Sequence, residues 1–356
     1  MNEIANRIKY IRQKAQNKSR ILEEEQLNFP VSSWIKKDRL LHGIGKEFTI
    51  ILRTKGCSWA ISDSGGCSMC GYIKDSNIKS VSATQIINQF DQALNRRISE
   101  INNDSEDFIL KIFNSGSFFD DDEVSNELRR YIYEKIAKIK NIKEFVIESR
   151  CEYITSEKLE ELREVLDKKY VEVAIGLETV NDYIRNNYIN KGILFDDFKN
   201  SLKKCKDQGI GVKAYLLLKP PFLNEQAAID DCSNSIKNLI NLKVNSISIN
   251  PINIQKDTLI EYLWYKKKYR PPWFYSLFKC FKKSLTQKTL EKTRILSDPS
   301  GAGTKRGIHN CLNKECENSA KRKLNNFILL QDLSVLDEEG FICKCKKKYH
   351  LQKNYL

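Results

Sequence analysis

KGCSWAISDSGGCSMCGY, Lys55 to Tyr72, carries three cysteines, Cys57, Cys67 and Cys70, spaced C-x9-C-x2-C. It directly follows EFTIILRT, residues 47–54, an apolar and β-branched run that reads as a strand. Structural metal sites usually close with four protein ligands, and this loop supplies three. Three thiolates on one loop suit iron–sulfur ligation, because soft sulfur donors select iron or zinc. Three cysteines on a [4Fe–4S] cube leave one iron free to bind something else, and an open coordination position marks chemistry rather than scaffolding. A structural zinc site is the bland alternative, but no fourth ligand lies nearby in sequence.

Outward from this loop, strand-like runs alternate with amphipathic helical stretches. The runs after EFTIILRT are DFILKIF, IKEFVIES, YVEVAIG, GVKAYLLL and NSISINP. Stretches such as ATQIINQFDQALNRRI and VSNELRRYIYEKIAKI lie between them. Six strands alternating with helices predict a parallel α/β sheet, here a partial (β/α)6 barrel. Residues 1–44 read as a helical extension ending in the loop LLHGIGKE, residues 45–255 as the barrel core, and residues 256–356 as a small basic C-terminal domain. In a parallel β/α barrel the chemistry sits in the loops after the strands. The less usual polar residues fall there: NSGSFFD after the second run, Glu148 and Arg150 after the third, Glu178 and Thr179 after the fourth. Lys219 and a double proline follow the fifth run, Asn250 and Asn253 the sixth.

With 356 residues, 41% apolar, the chain can bury a large core. No stretch approaches the roughly 18 apolar residues of a membrane span. The start, MNEIANRIKYIRQKAQNKSR, has no apolar signal core, so a cytoplasmic protein is expected. Eleven cysteines in a reducing compartment point to metal or catalytic use, not disulfides. Cys151, Cys205, Cys232 and Cys280 stand alone and read as small buried hydrophobes. The net charge of +14 suits an anionic partner such as nucleic acid, unless it merely reflects a lysine-rich composition.

The three-cysteine loop at the first strand of a β/α barrel resembles the radical S-adenosylmethionine (SAM) superfamily. Its nine-residue gap resembles the branch that contains the Elongator catalytic subunit. The ordered set ILRTKGCSWAISDSGGCSMCGY, NSGSFFDD, ESRCEYIT, IGLET, LLLKPPFLNE, SDPSGAGTKRGIHNC and CKC is similar to one family, the radical SAM subunit of archaeosine synthase. The resemblance implies a [4Fe–4S] cluster on Cys57, Cys67 and Cys70, with SAM on the free iron. It implies that Asn114, Ser115, Gly116 and Ser117 hold the SAM amino group, where the superfamily often has Gly-Gly-Glu. Glu178 is expected to hydrogen-bond SAM. Arg150 or Arg185 is expected to pair with the SAM carboxylate, which a guanidinium binds in bidentate fashion. Met69 stands where the superfamily commonly has an aromatic. The implied reaction is a lyase step in tRNA modification: a lysine-substituted 7-cyano-7-deazaguanine in the D-loop becomes archaeosine by C–N cleavage. The implied partners are tRNA, the lysine-transferring subunit and an external electron donor.

A second cysteine set, Cys311, Cys316, Cys343 and Cys345, spaces as C-x4-C and C-x-C. Zinc, an auxiliary iron–sulfur cluster and unligated thiols are the three readings, with His309 as a substitute ligand; zinc is the expected one. Residues 264–288 hold eight lysines and arginines, no acid and several aromatics, among them Trp273. Phosphate neutralisation with stacking is what RNA contact needs, and a solvated helix is the rival. The alternative functions are a radical SAM tRNA enzyme with another substrate, or a non-enzymatic RNA-binding metalloprotein. Methylthiolation would need a cysteine-rich N-terminal domain, and residues 1–44 have no cysteine. Elongator-type acyl transfer would need a further domain for which residues 251–356 leave too little chain.

Overall fold

The strand-like runs assemble into one sheet in a computed structural model that describes residues 3–16, 22–77, 81–337 and 342–355. The strands are β1 (Ser32–Arg39), β2 (Ile44–Ile51), β3 (Phe108–Phe113), β4 (Ile142–Glu148), β5 (Tyr170–Glu178), β6 (Gly211–Leu218), β7 (Ser246–Pro251) and β8 (Arg294–Leu296). They lie side by side in chain order. β1 pairs antiparallel with β2, and every later pair is parallel. The six expected strands are β2 to β7, so the open barrel stands, with one more strand at each edge.

Alternation along each strand explains both faces. Leu110, Ile112, Phe145, Ile147, Val173, Ile175, Leu216 and Ile249 point outward into the main apolar core, beneath the helices. Their neighbours Ile109, Val146 and Ala174 point inward and meet Leu40 and Tyr215 in a smaller cluster inside the barrel. Charged residues share that inward face. Lys111 is held by Asp38 at 2.6 Å and by Glu47, while Arg294 donates to Glu144 at 2.7 Å and to Glu172 at 2.8 Å. These pairs satisfy one another, which is the condition for burying charge at all.

Two features depart from the sequence reading. Residues 32–39, expected in a helical extension, form β1; backbone pairing with β2 from Ser32↔Ile51 to Arg39↔Ile44 decides it over the mixed-charge composition. The helical reading holds at Glu3–Gln16, and residues 17–21 lie outside the described residues. In the basic stretch, Trp273 is 2% exposed: Arg270 covers its ring at 3.7 Å and Tyr349 meets its edge, so it packs rather than offering a stacking face. Phe274, Leu277 and Phe281 from the helix Phe274–Ser284 join the same core as the barrel helices. No helix among the described residues is long and apolar enough to cross a membrane.

Candidate active site

All the loops that follow the parallel strands open at one end of the barrel. The loop after β2 carries Cys57, Cys67 and Cys70, and three neighbours fix its path. Cys57 donates its backbone N–H to Ser115 O at 3.2 Å, tying it to the loop after β3. Ser68 N–H donates to Ile189 O at 2.8 Å, and the Asn190 amide donates to Ser64 O and Gly66 O at 2.9 and 2.8 Å. Arg12, on the helix Glu3–Gln16, donates to Cys70 O at 3.0 Å and reaches Cys67 O at 3.5 Å. Trp59 donates its indole N–H to Asn190 O at 2.8 Å and lies against Gly192, where a Cβ would come within 2.4 Å of the ring. Gly192 has φ +69°, so both conformation and space require glycine.

Cys67 and Cys70 lie close enough to Cys57 for their charges to interact. Burial pushes both thiols up, Cys70 to about 12, and the Cys67 thiolate, once formed, would face Lys191 and Arg150. Soft, proton-bearing donors on one loop, with cations beside them, fit a cluster that displaces the protons on binding.

The NSGS turn is built on a residue that the sequence reading passes over. Glu123 accepts from Thr54 Oγ1 at 2.8 Å, Asn114 Nδ2 at 2.9 Å and Ser117 N–H at 2.9 Å. Gly116 rests on the same carboxylate: a Cβ there would lie 2.0 Å from Oε2. Ser115 is held at φ +56°. This clamp uses the Asn114 amino group and leaves its Oδ1 buried and without a hydrogen-bond partner. An orphaned acceptor on this turn fits the amino group expected there. Burial raises the Glu123 carboxyl to about 7.

Glu178 ends β5 at φ +68°, just past a register shift at Gly176/Glu178, and accepts from Lys191 Nζ at 2.9 Å. Burial alone would lower the Lys191 ammonium, but Glu178 and then Cys67 raise it above its ordinary value. Lys191 is a second residue that the sequence reading missed; its only signal was its place just after YIRNNYIN. Arg150 donates to Lys191 O at 3.0 Å, pairs with Glu152 and lies 5.1 Å from the Trp59 ring. Arg185 serves the fold instead. It is fully buried, and its guanidinium donates to Leu177 O, Thr179 O and Ile193 O and pairs with Asp182. It has no surface to offer a carboxylate; it holds the turn that gives Glu178 its unusual backbone.

At the other cysteine set, the four sulfurs of Cys311, Cys316, Cys343 and Cys345 lie within 4.8 Å of one another. Cys311 and Cys343 are 3.7 Å apart, Cys316 and Cys345 3.8 Å. This set could hold a metal ion. His309 is not among the four; its Nδ1 faces Gly307 O at 2.7 Å, and burial lowers the ring to about 4. The set is wired to the barrel. Tyr275 OH lies 3.3 Å from Cys345 Sγ, and Arg270 donates to His309 O and Asn310 O. Lys219, just past the end of β6, donates to Arg270 O and pairs with Glu225 at 2.8 Å.

The family described as the Radical SAM superfamily matches residues 51–232, which take in the cluster loop, the NSGS turn and the end of β5. A Methanocaldococcus jannaschii protein named "Uncharacterized protein MJ0550" is 40% identical over 97% of this chain and 93% of its own. "Archaeosine synthase subunit beta" of Methanosarcina acetivorans is 38% identical over 90% of this chain and 88% of its own. The protein of that name from Thermococcus kodakarensis is 37% identical over 91% of this chain and 97% of its own. A solved structure of Methanocaldococcus infernus Elp3 is 13% identical with a TM-score of 0.48, covering 62% of this chain and 54% of its own. The superfamily implies a [4Fe–4S] cluster and SAM as cofactors. The chain belongs to the radical SAM superfamily and, within it, to the family of archaeosine synthase subunit beta.

Proposed function

We propose that this radical SAM enzyme converts a lysine-substituted 7-cyano-7-deazaguanine in the tRNA D-loop to archaeosine, by cleaving a C–N bond of the lysyl group. The observation that carries the reading is the likeness to two proteins named archaeosine synthase subunit beta over about nine-tenths of the chain. The name "subunit beta" supports a partner subunit, which in this reading attaches the lysine. An external electron donor completes the reaction.

Cys57, Cys67 and Cys70 would hold the cluster, and Asn114 to Ser117 the SAM amino group. Glu178 would accept from SAM, and Arg150 is the arginine for its carboxylate, because Arg185 is consumed within the fold. Cluster and SAM, when bound, would supply radical chemistry, the removal of a hydrogen atom from the lysyl carbon chain. The chain's own residues position that carbon and exclude water. Cys311, Cys316, Cys343 and Cys345 would form a closed zinc site, since four thiolates leave no open position for chemistry.

The test is anaerobic incubation of reconstituted protein with SAM, a reductant and tRNA bearing the lysine-substituted base, followed by nucleoside mass spectrometry. Archaeosine is the expected product. Formation of 5′-deoxyadenosine with no archaeosine would sink the substrate assignment and leave the cofactor assignment standing.

A further inference from the structure

Inside the barrel, an acid and a base face inward at one level of the two strands that flank β5. Glu148 of β4 is in register with Ala174 of β5, and Ala174 with Lys213 of β6. Only a methyl group stands between the two functional side chains at that level. Strands lie ~4.8 Å apart, so the Glu148 and Lys213 backbones are roughly 10 Å apart. Two residues nearer the mouth on β6, the Tyr215 hydroxyl lies beside the Glu148 carboxyl. Glu148 and Tyr215 are both partly exposed although they face the inside of a barrel, so they border open space. Above them, a Cβ on Gly176 would meet Lys191 Nζ at 2.5 Å and Glu178 Oε1 at 2.9 Å. The Lys191–Glu178 pair therefore roofs this level, and the cluster loop lies beyond it.

Neither charge has a counter-charge within hydrogen-bond distance among the described residues. Among the described residues, Lys213 Nζ makes no hydrogen bond and has one carboxylate oxygen within 4.0 Å, Glu172 Oε2 at 3.8 Å. Glu172 is already taken, accepting from Ser246, Tyr170 and Arg294. Yet Lys213 is only 2% exposed. The cations that influence Glu148 are Lys213 and Lys191, and Lys191 is committed to Glu178. Burial raises the Glu148 carboxyl to about 7 and lowers the Lys213 ammonium to about 8. A ligand bearing both charges would relieve both groups, whereas a ligand of one sign would aggravate one of them.

We propose that Glu148 with Tyr215, and Lys213 opposite, form a subsite for the α-amino-acid head of the substrate: the ammonium goes to Glu148 and Tyr215, the carboxylate to Lys213. This rests on the reading of the substrate as a lysine-substituted base. The lysyl chain would then run up the barrel from its head toward the Lys191–Glu178 roof, presenting its far carbons near the SAM position. Ala174 and Glu178 are separated by roughly 13 Å along β5, a depth that accommodates an extended lysyl group.

The experiment compares three tRNA substrates with the reconstituted full chain: the lysine-substituted base, a 5-aminopentyl analogue without the carboxylate, and an Nα-acetyl-lysine analogue. Wild type should drop about 10–100-fold in kcat/KM on each analogue, the loss expected when a buried charged group is left without its hydrogen-bond partner. Lys213→Met should lower kcat/KM for the lysine substrate and abolish the preference over the aminopentyl analogue. Glu148→Gln should abolish the preference over the acetyl analogue. Iron content and thermal melting report whether each variant is folded, and the wild-type comparison stands even if one is not. Equal use of lysyl and aminopentyl substrates by wild type overturns the subsite alone. So does a folded Lys213→Met that keeps the wild-type preference. No product from any of the three, with SAM still cleaved, overturns the parent reading and this one with it.

Discussion

Arg150 and Arg185 close on the same loops, and burial separates what each can do. Arg185 is enclosed by three carbonyls and Asp182, so Arg185→Met strands those acceptors and should cost about 3–5 kcal/mol, read as a lowered melting temperature. Arg150→Met should instead weaken SAM binding at least about tenfold by isothermal titration, the change expected for a charge-assisted pair. A reversed pattern would exchange the two roles. Glu123 gives a pH signature. Its carboxyl is raised by burial from 4.5 to about 7, so the folded state holds the proton more tightly than the unfolded chain. That stability is fully present below about pH 4.5 and fades as pH rises through about 7, to the extent of about 3 kcal/mol. Glu123→Gln should flatten the stability profile across that window in denaturant titrations at several pH values.

At the scale of elements, the tetracysteine set joins segments distant in sequence: the loop at Cys311, the start of the helix Lys314–Leu330 and the helix Cys345–Gln352. Trp273 and Tyr349 pack with Cys316 and Cys345 in one small cluster. A chelator that removes a metal held by the four sulfurs, or Cys311→Ser, should therefore lower the melting temperature by several degrees and shift tryptophan fluorescence, while the iron content at the barrel stays in place. Elemental analysis names the metal; protein with an intact first cluster and no zinc would favour an auxiliary iron–sulfur cluster there. The strands β2 to β7 were legible because their outward residues form near-continuous apolar runs. β1 was not, because SSWIKKDR ends in Lys36, Lys37, Asp38 and Arg39, and only pairing with β2 makes it a strand. Cys57, Cys67 and Cys70 stand out in the sequence by their spacing, and the NSGS turn only through the family resemblance. Arg12, Glu123 and Lys191 were not, since each reaches the site through tertiary contact. The inward charges Lys111, Glu144, Glu172 and Lys213 do interrupt apolar runs in the sequence, but nothing there says which acid meets which base.

For the whole molecule, the net charge of +14 has to be matched to a surface. Lys266, Lys267 and Lys268 are exposed just past the helix Leu259–Tyr265, with Tyr265 exposed beside them. Arg306 lies 5.0 Å from the neighbouring Trp264 ring. Replacing the three lysines with alanine should weaken tRNA binding and flatten its salt dependence by about 0.9 log units for each duplex phosphate that is no longer neutralised. Affinity measured at several salt concentrations decides; an unchanged slope moves the RNA surface to the exposed Lys344, Lys346, Lys347 and Lys348.

The sheet's two edges meet without becoming a ladder. β1 and β8 are its ends, and Arg294 of β8 donates to Arg39 O of β1 at 3.3 Å while Lys36 pairs with Asp298. Long side chains thus lace the two edges of the open barrel together along one seam, and among the described residues no run of amide bonds crosses it. Lacing of this kind stretches where a hydrogen-bonded wall does not. Breathing along the seam would alter the bore of the lumen without unfolding a strand, and hydrogen exchange would register it as early loss of protection in β1 and β8 while β3 to β6 stay closed.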